Sequence, residues 1–137
     1  MKISINMHFN GDCLQAIELY EKAFNSKVKT LLQFKDANES DFNTSSLTAE
    51  QKNYVYHADM YIGEYRFMFS DELNPIAINQ NISIVIIFDT DEEVKTAYEI
   101  LKENGTVLQP IITTTYSSCL TSVVDRFGIR WNLMTEL

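Results

Sequence analysis

The sequence predicts an α+β fold made of two βαβββ modules, about residues 1–75 and 80–137 of one domain. Three observations predict it. Short runs of apolar residues alternate with polar ones at a period of two, the signature of half-buried strands. Two stretches instead repeat at helical spacing. Both kinds of run then recur in the same order in the two halves of the chain, and such self-similarity is the mark of an internal duplication.

The elements follow in order. Ile3, Ile5, Met7 and Phe9 alternate with Ser4, Asn6 and His8, a first strand. Asn10-Gly11-Asp12 breaks it, and Asp12 is placed to cap a helix. That helix buries Cys13, Ala16, Ile17, Tyr20, Ala23 and Phe24 and turns Glu18, Glu21 and Lys22 outward. Asn25-Ser26 ends it, and Val28 to Phe34 is a second strand. Residues 35–53 are polar and without a period; Thr48-Ala-Glu-Gln51 is a capping box for one turn of helix. A loop of that length points to a lid, a mobile segment or a dimer contact. Tyr56 to Ile62 and Tyr65 to Ser70 then alternate on either side of Gly63-Glu64 as a hairpin.

The second half repeats the plan. Ile82, Ile84, Ile86 and Phe88 alternate with Ser83, Val85 and Ile87. Thr90-Asp-Glu-Glu93 is a capping box ahead of Val94, Ala97, Tyr98 and Leu101, and Asn104-Gly105 closes that helix with a left-handed residue. Val107 to Ile112, about Cys119 to Asp125, and Ile129 to Met134 are three more strands. Asp125 and Gly128 suit a type I turn between the last two. The halves superpose at Phe9 and Phe88, Val28 and Val107, Arg66-Phe67 and Arg130-Trp131, and Glu72 and Glu136.

Bulk properties narrow the function. The chain has 137 residues, 45% of them hydrophobic, enough for one full core. No apolar run reaches the length of a membrane span. The opening residues lack the layout of a signal peptide, and two cysteines suit a reducing compartment, so the cytoplasm is the expected location. A net charge of −8 disfavours nucleic acid and anionic membrane surfaces as partners.

Each module puts its apolar strand faces under its helix. The opposite faces are then free to curve around a shared cleft. Alternation alone assigns to it Asn6, His8, His57, Asp59, Arg66, Met68, Ser83, Arg130, Asn132 and Met134, a polar and Met-lined concavity suited to a small organic molecule. Arg66 and Arg130 could together bind a carboxylate or phosphate; pairing with internal acids such as Asp59 or Glu136 is the preferred reading. Cys13 falls on the buried helix face and Cys119 has no general base nearby in sequence, so neither reads as a nucleophile.

Several of these residues form family signatures. Phe9-Asn10-Gly11-Asp12-Cys13 with Ala16-Ile17 and Tyr20-Glu21-Lys22-Ala23-Phe24 resembles the opening of the PhnB-like branch of the glyoxalase/bleomycin-resistance (vicinal oxygen chelate) superfamily. His57-Ala58-Asp59-Met60-Tyr61-Ile62-Gly63, Phe69-Ser70-Asp71-Glu72 and Asp125 to Trp131 resemble its later motifs. The resemblance covers Ile3 to about Met134. It implies a U-shaped mixed sheet around a cleft and a homodimer. The chain departs from the pattern at Thr113 to Cys119, where Tyr116-Ser117-Ser118-Cys119 replaces a Trp and a Gly-containing turn.

Metal enzymes of the superfamily carry ligands on the first and last strands of each module, and the matching positions here are approximately Asn6, Met68, Ser83 and Asn132. Two amides, a thioether and a hydroxyl are poor ligands for a divalent transition metal, so no cofactor is expected. The alternative is a register slip that would gather His8, His57 and Glu136 around a metal. His57 is the candidate catalytic residue, as a proton shuttle or ligand-orienting donor, or else a structural histidine beside Asp59. His8 reads first as structural. The branch has carried a demethylubiquinone methyltransferase label, but Gly11, Gly63, Gly105 and Gly128 are nowhere clustered into a cofactor loop. The expected function is therefore a metal-independent small-molecule-binding protein. A divalent-metal-dependent lyase, isomerase or dioxygenase of the same superfamily is the alternative.

Overall fold

The computed structural model describes residues 1–41 and 43–137; Phe42, within the predicted loop of residues 35–53, lies outside the described residues. The chain forms two compact units, Met1–Ile76 and Ala77–Leu137. The first holds β1 (Ile5–Phe9), α1 (Cys13–Ala23), β2 (Val28–Gln33), β3 (Val55–Ile62) and β4 (Tyr65–Asp71). The second holds β5 (Ile84–Phe88), α2 (Asp91–Leu101), β6 (Thr106–Ile112), β7 (Leu120–Val124) and β8 (Arg130–Thr135). Each is βαβββ and each makes its own four-stranded mixed sheet, in the orders β1-β4-β3-β2 and β5-β8-β7-β6. The fold is α+β. Among the described residues no helix is long and apolar enough to cross a membrane.

Within each unit the first strand pairs in parallel with the last, and the other pairs are antiparallel. Met7, Phe9, Ala58, Met60, Phe67 and Phe69 bury one face of the first sheet against Cys13, Ala16 and Tyr20 of α1. Tyr20 centres this core, with ring contacts to Phe9, Phe24 and Phe69. In the second unit Val123, Trp131 and Leu133 meet Val94, Ala97 and Leu101 of α2.

The helix ends differ from one another in an informative way. Thr90 and Glu93 make the predicted reciprocal capping box on α2. Asp12, the predicted cap of α1, makes no side-chain capping bond. The orphan N–H groups there are met from another strand: Asp71, at the end of β4, accepts from Gly11 and Cys13 through Oδ1 and from Val55 at the start of β3 through Oδ2, at 2.8, 3.0 and 2.9 Å. One carboxylate thus ties together the helix start and two strands. Gly11 is required beside it, because its φ is +98° and a Cβ would strike the Tyr54 ring.

Both helices end alike. Asn25 and Asn104 adopt φ of 48° and 58°, the left-handed conformation that stops a helix. At the second site the left-handed residue is therefore Asn104 and not Gly105. Gly105 is needed for space, since a Cβ would lie 2.4 Å from the Val124 carbonyl. In the loop of residues 35–53, the predicted Thr48–Gln51 box forms and leads into a short 3₁₀ turn, Gln51–Asn53.

Replacing Asp71 with Asn leaves one backbone N–H facing an amide –NH2 in a buried site. We expect Asp71→Asn to cost about 1–3 kcal/mol, read as a lower denaturant midpoint with an unchanged slope. An unchanged midpoint would show that the carboxylate is not what closes the unit.

Candidate functional site

Strand register builds one polar face in the first unit. On the side away from α1, Asn6 of β1 sits beside Met68 of β4, Met68 beside Asp59 of β3, and Asp59 beside Thr30 of β2. The neighbouring row sets His8 beside Ser70 and His57 beside Leu32. Six predicted site residues, Asn6, His8, His57, Asp59, Arg66 and Met68, thus share one sheet face.

Asp59 is the buried member of this set. Its Oδ2 accepts from Arg66 Nε at 2.8 Å, while Oδ1 is buried without a hydrogen-bond partner. Desolvation pushes the carboxyl up. The Arg66 hydrogen bond, the Thr30 hydroxyl, the Arg66 charge and His57 together outweigh it and hold Asp59 below its ordinary range. Arg66 itself is partly exposed. The predicted pairing of Arg66 with an internal acid is what forms.

The corresponding face of the second unit differs in chemistry. Its first row is Val85, Asn132, Ser122 and Gln109, and its second is Ile87, Met134, Leu120 and Ile112. Ser122 Oγ lies 2.7 Å from Asn132 Oδ1 and donates to it. Arg130 donates from Nη1 to the Gln80 carbonyl at 3.0 Å, and its Nε is buried without a partner. It therefore meets a backbone carbonyl where an acid such as Glu136 was expected; Glu136 is exposed.

One predicted residue is displaced. Ser83 precedes β5, and the position beside Asn132 belongs to Val85. The cause is register: the Phe9–Phe88 correspondence aligns Asn6 with Val85, two places further along than Ser83. The positions at which the superfamily resemblance implies metal ligands are thus an amide, a thioether, an isopropyl group and an amide. Val85 has no donor atom, so these side chains do not fit a divalent transition metal. Among the described residues, no group of three His, Cys, Asp or Glu side chains is placed to hold a metal. His8 lies instead 2.7 Å from Glu72, a residue the strand alternation does not single out.

The cysteines are inert in both units. Burial, reinforced by Asp71 and Asp12, pushes the Cys13 thiol far up. Burial also raises Cys119, with Asp91 adding to it. Neither forms a thiolate near neutrality. The departure at Thr113–Cys119 has a structural use: Ser118 and Thr135 bond Asp91 at the start of α2, while Cys119 N donates to Thr135 Oγ1. Asp125 does more than turn chemistry, since its Oδ2 accepts from the Trp131 indole at 2.8 Å.

The family model for 3-demethylubiquinone-9 3-methyltransferase matches residues 1–134. The chain is 25% identical to protein PA1353 from Pseudomonas aeruginosa, with a TM-score of 0.84 over 99% of this chain and 98% of that one. It is 22% identical to a Bacillus cereus protein described as a putative 3-demethylubiquinone-9 3-methyltransferase, PhnB protein, with a TM-score of 0.81 over 98% and 99% of the two chains. The fosfomycin resistance protein FosX from Listeria monocytogenes shares the fold at 10% identity, with a TM-score of 0.68 over 100% and 94%. No curated protein matches the sequence.

The Asp59–Arg66 pair sets a pH dependence with a definite sign. A carboxyl whose folded pKa is depressed contributes stability above its unfolded pKa and loses it as pH falls through the folded value. In Arg66→Gln, desolvation acts against a weaker opposition. The Asp59 pKa then rises and acid unfolding begins at higher pH. Carboxyl-carbon NMR of Asp59 with an acid-unfolding curve measures both; an unmoved Asp59 titration would exclude Arg66 as its control.

Proposed function

As the chain belongs to the family described as 3-demethylubiquinone-9 3-methyltransferase, a PhnB-like family of the glyoxalase/bleomycin-resistance superfamily, we propose that it is a small-molecule-binding protein that works without a catalytic metal. The observation that carries this reading is Asp59. A buried carboxylate oxygen without a protein partner is costly, and it lies between Met68 and Thr30 on the helix-free face that also carries the exposed Asn6 and His8. Such a group is satisfied by water or by a ligand donor. With His57, Met68 and Leu32 it gives the mix of a few placed polar groups and apolar surface that small organic molecules select.

The donor chemistry argues against the metal-dependent alternative, because Val85 and Met68 stand where a hard or borderline cation needs imidazole or carboxylate. Methyl transfer, the activity in the family's description, gains no support from this chain: each of its four glycines lies in a different turn or loop, with no glycine-rich phosphate cradle. A homodimer in the cytoplasm, with no nucleic-acid partner, completes the reading, and light scattering measures the assembly.

The test is a melting-point series on metal-stripped protein with Zn²⁺, Ni²⁺, Mn²⁺, Mg²⁺ and anaerobic Fe²⁺, beside a panel of small organic molecules. A ligand at a hundred times its dissociation constant adds about 2.7 kcal/mol, several degrees for a domain of this size. We expect no metal to raise the midpoint and organic binders to shift the amide resonances of β1, β3 and β4. A metal-dependent rise abolished in His57→Ala or His8→Ala would overturn the metal-free reading.

A further inference from the structure

The duplicated frame holds two arginines at matched positions, and only one of them has an acid. Arg66 of β4 donates from Nε to Asp59 Oδ2 at 2.8 Å, and Asp59 of β3 lies beside Met68. In the second unit Arg130 matches Arg66, Asn132 matches Met68, and the β7 residue beside Asn132 is Ser122. A hydroxyl therefore stands where the first unit has its carboxylate. The consequence falls on the same atom of the arginine, because Arg130 Nε is buried without an acceptor. Nη1 rests on the Gln80 backbone carbonyl at 3.0 Å, and Arg130 makes no ion pair among the described residues. Its Nη2 has no protein acceptor and is not buried. Ser122 holds Asn132 Oδ1, so Asn132 turns its –NH2 outward, also open and without a partner.

We infer that Arg130 and Asn132 form a binding site for the carboxylate of a small organic acid, which supplies the acid this unit lacks. The site goes beyond the reading above: it lies in the second unit and does not use Asp59. The donors select the ligand. A guanidinium is always charged and only donates, and the free group of Asn132 is likewise a donor. An ammonium is repelled by Arg130, and a neutral amide or hydroxyl brings it no charge. A carboxylate brings two acceptor oxygens in a plane that matches the guanidinium fork. Its single charge also suits a chain already at −8 better than the two of a phosphate. Binding turns the guanidinium off Gln80, which releases one exposed carbonyl to water and uncovers Nε beside Nη2. Nε then gains the kind of acceptor that Arg66 Nε has in Asp59. Val85, exposed beside Asn132 on β5, offers apolar surface for the body of the acid.

The probe is benzoate, with benzamide as the neutral molecule of the same shape. Each is titrated into the full chain while ¹⁵N NMR follows the Arg130 Nε–H and the Asn132 side-chain amide. Benzoate should move both resonances and benzamide neither. Arg130→Gln should weaken benzoate about tenfold, the loss of a charged hydrogen bond. Arg130→Lys, which keeps the charge without the fork, should fall between. Ser122→Asp supplies the acid internally, as in the first unit: the Arg130 Nε–H should shift without ligand and benzoate binding should be lost, with the melting midpoint kept. If that variant does not fold, Arg130→Gln decides. Equal binding of benzoate and benzamide, or benzoate binding unchanged in Arg130→Gln, would overturn the site. Inorganic phosphate moving the same resonances at the same concentration would overturn the choice of a carboxylate. Should benzoate leave Arg130 unmoved while other organic molecules still perturb β1, β3 and β4, this site falls and the small-molecule reading stands. Benzoate bound at Arg130, with no molecule perturbing those first-unit strands, upholds this site and removes that reading.

Discussion

Closure of each unit on its own last strand depends on a polar tie at one register position. In the first unit, Asp71 beside Phe9 takes three backbone N–H groups, holding the start of α1 and the start of β3 to the end of β4. Taking a carboxylate out of water raises its pKa, and the three donors offset that cost only in part. In the second unit Thr135 holds the matching place beside Phe88. Its hydroxyl takes the Cys119 N–H and reaches the Asp91 carboxylate, now carried by the helix. The position is kept while the charge moves from strand to helix. Everything packed beneath the helices, Tyr20 and Trp131 included, is positioned by these closures.

Much of this was legible in the sequence. Period-two and helical-period runs set the ten elements, and the shared order of the halves set the topology. The Thr90–Glu93 box could be read because both partners lie three residues apart. The cap of α1 could not, because Asp71 is some sixty residues distant and nothing local marks it as an acceptor. The polar face of the first unit was legible by alternation: Asn6, His8, His57, Asp59, Arg66 and Met68 fall together. Ser83 went astray because strand alternation fixes a face but not a register, and a step of two keeps the face. Glu72 was missed because it follows the last paired residue of β4, where alternation no longer applies.

Duplication has left the two helix-free faces with different chemistry. The first carries imidazoles, a carboxylate, an amide and a hydroxyl. Its counterpart presents Ile87, Met134, Leu120 and Ile112 in one row, with Asn132 and Ser122 bonded to each other in the row beside it. His8 corresponds to Ile87 and Asn6 to Val85, each a change from a group that hydrogen-bonds to one that does not, while Met68 corresponds to Asn132 in the opposite sense.

The first sheet also has a temporal consequence. Its strands all lie within residues 5–71, and its closing carboxylate is at the very end of that span. Pairing β1 with β4 bridges more than sixty residues, a long-range contact that slows folding. During synthesis β1 and α1 wait, with their apolar faces uncovered, until Asp71 has emerged. From then on the module has every strand and its tie, and it can complete its core while the second half is still being made. The second half repeats the wait on a shorter span, residues 84–135.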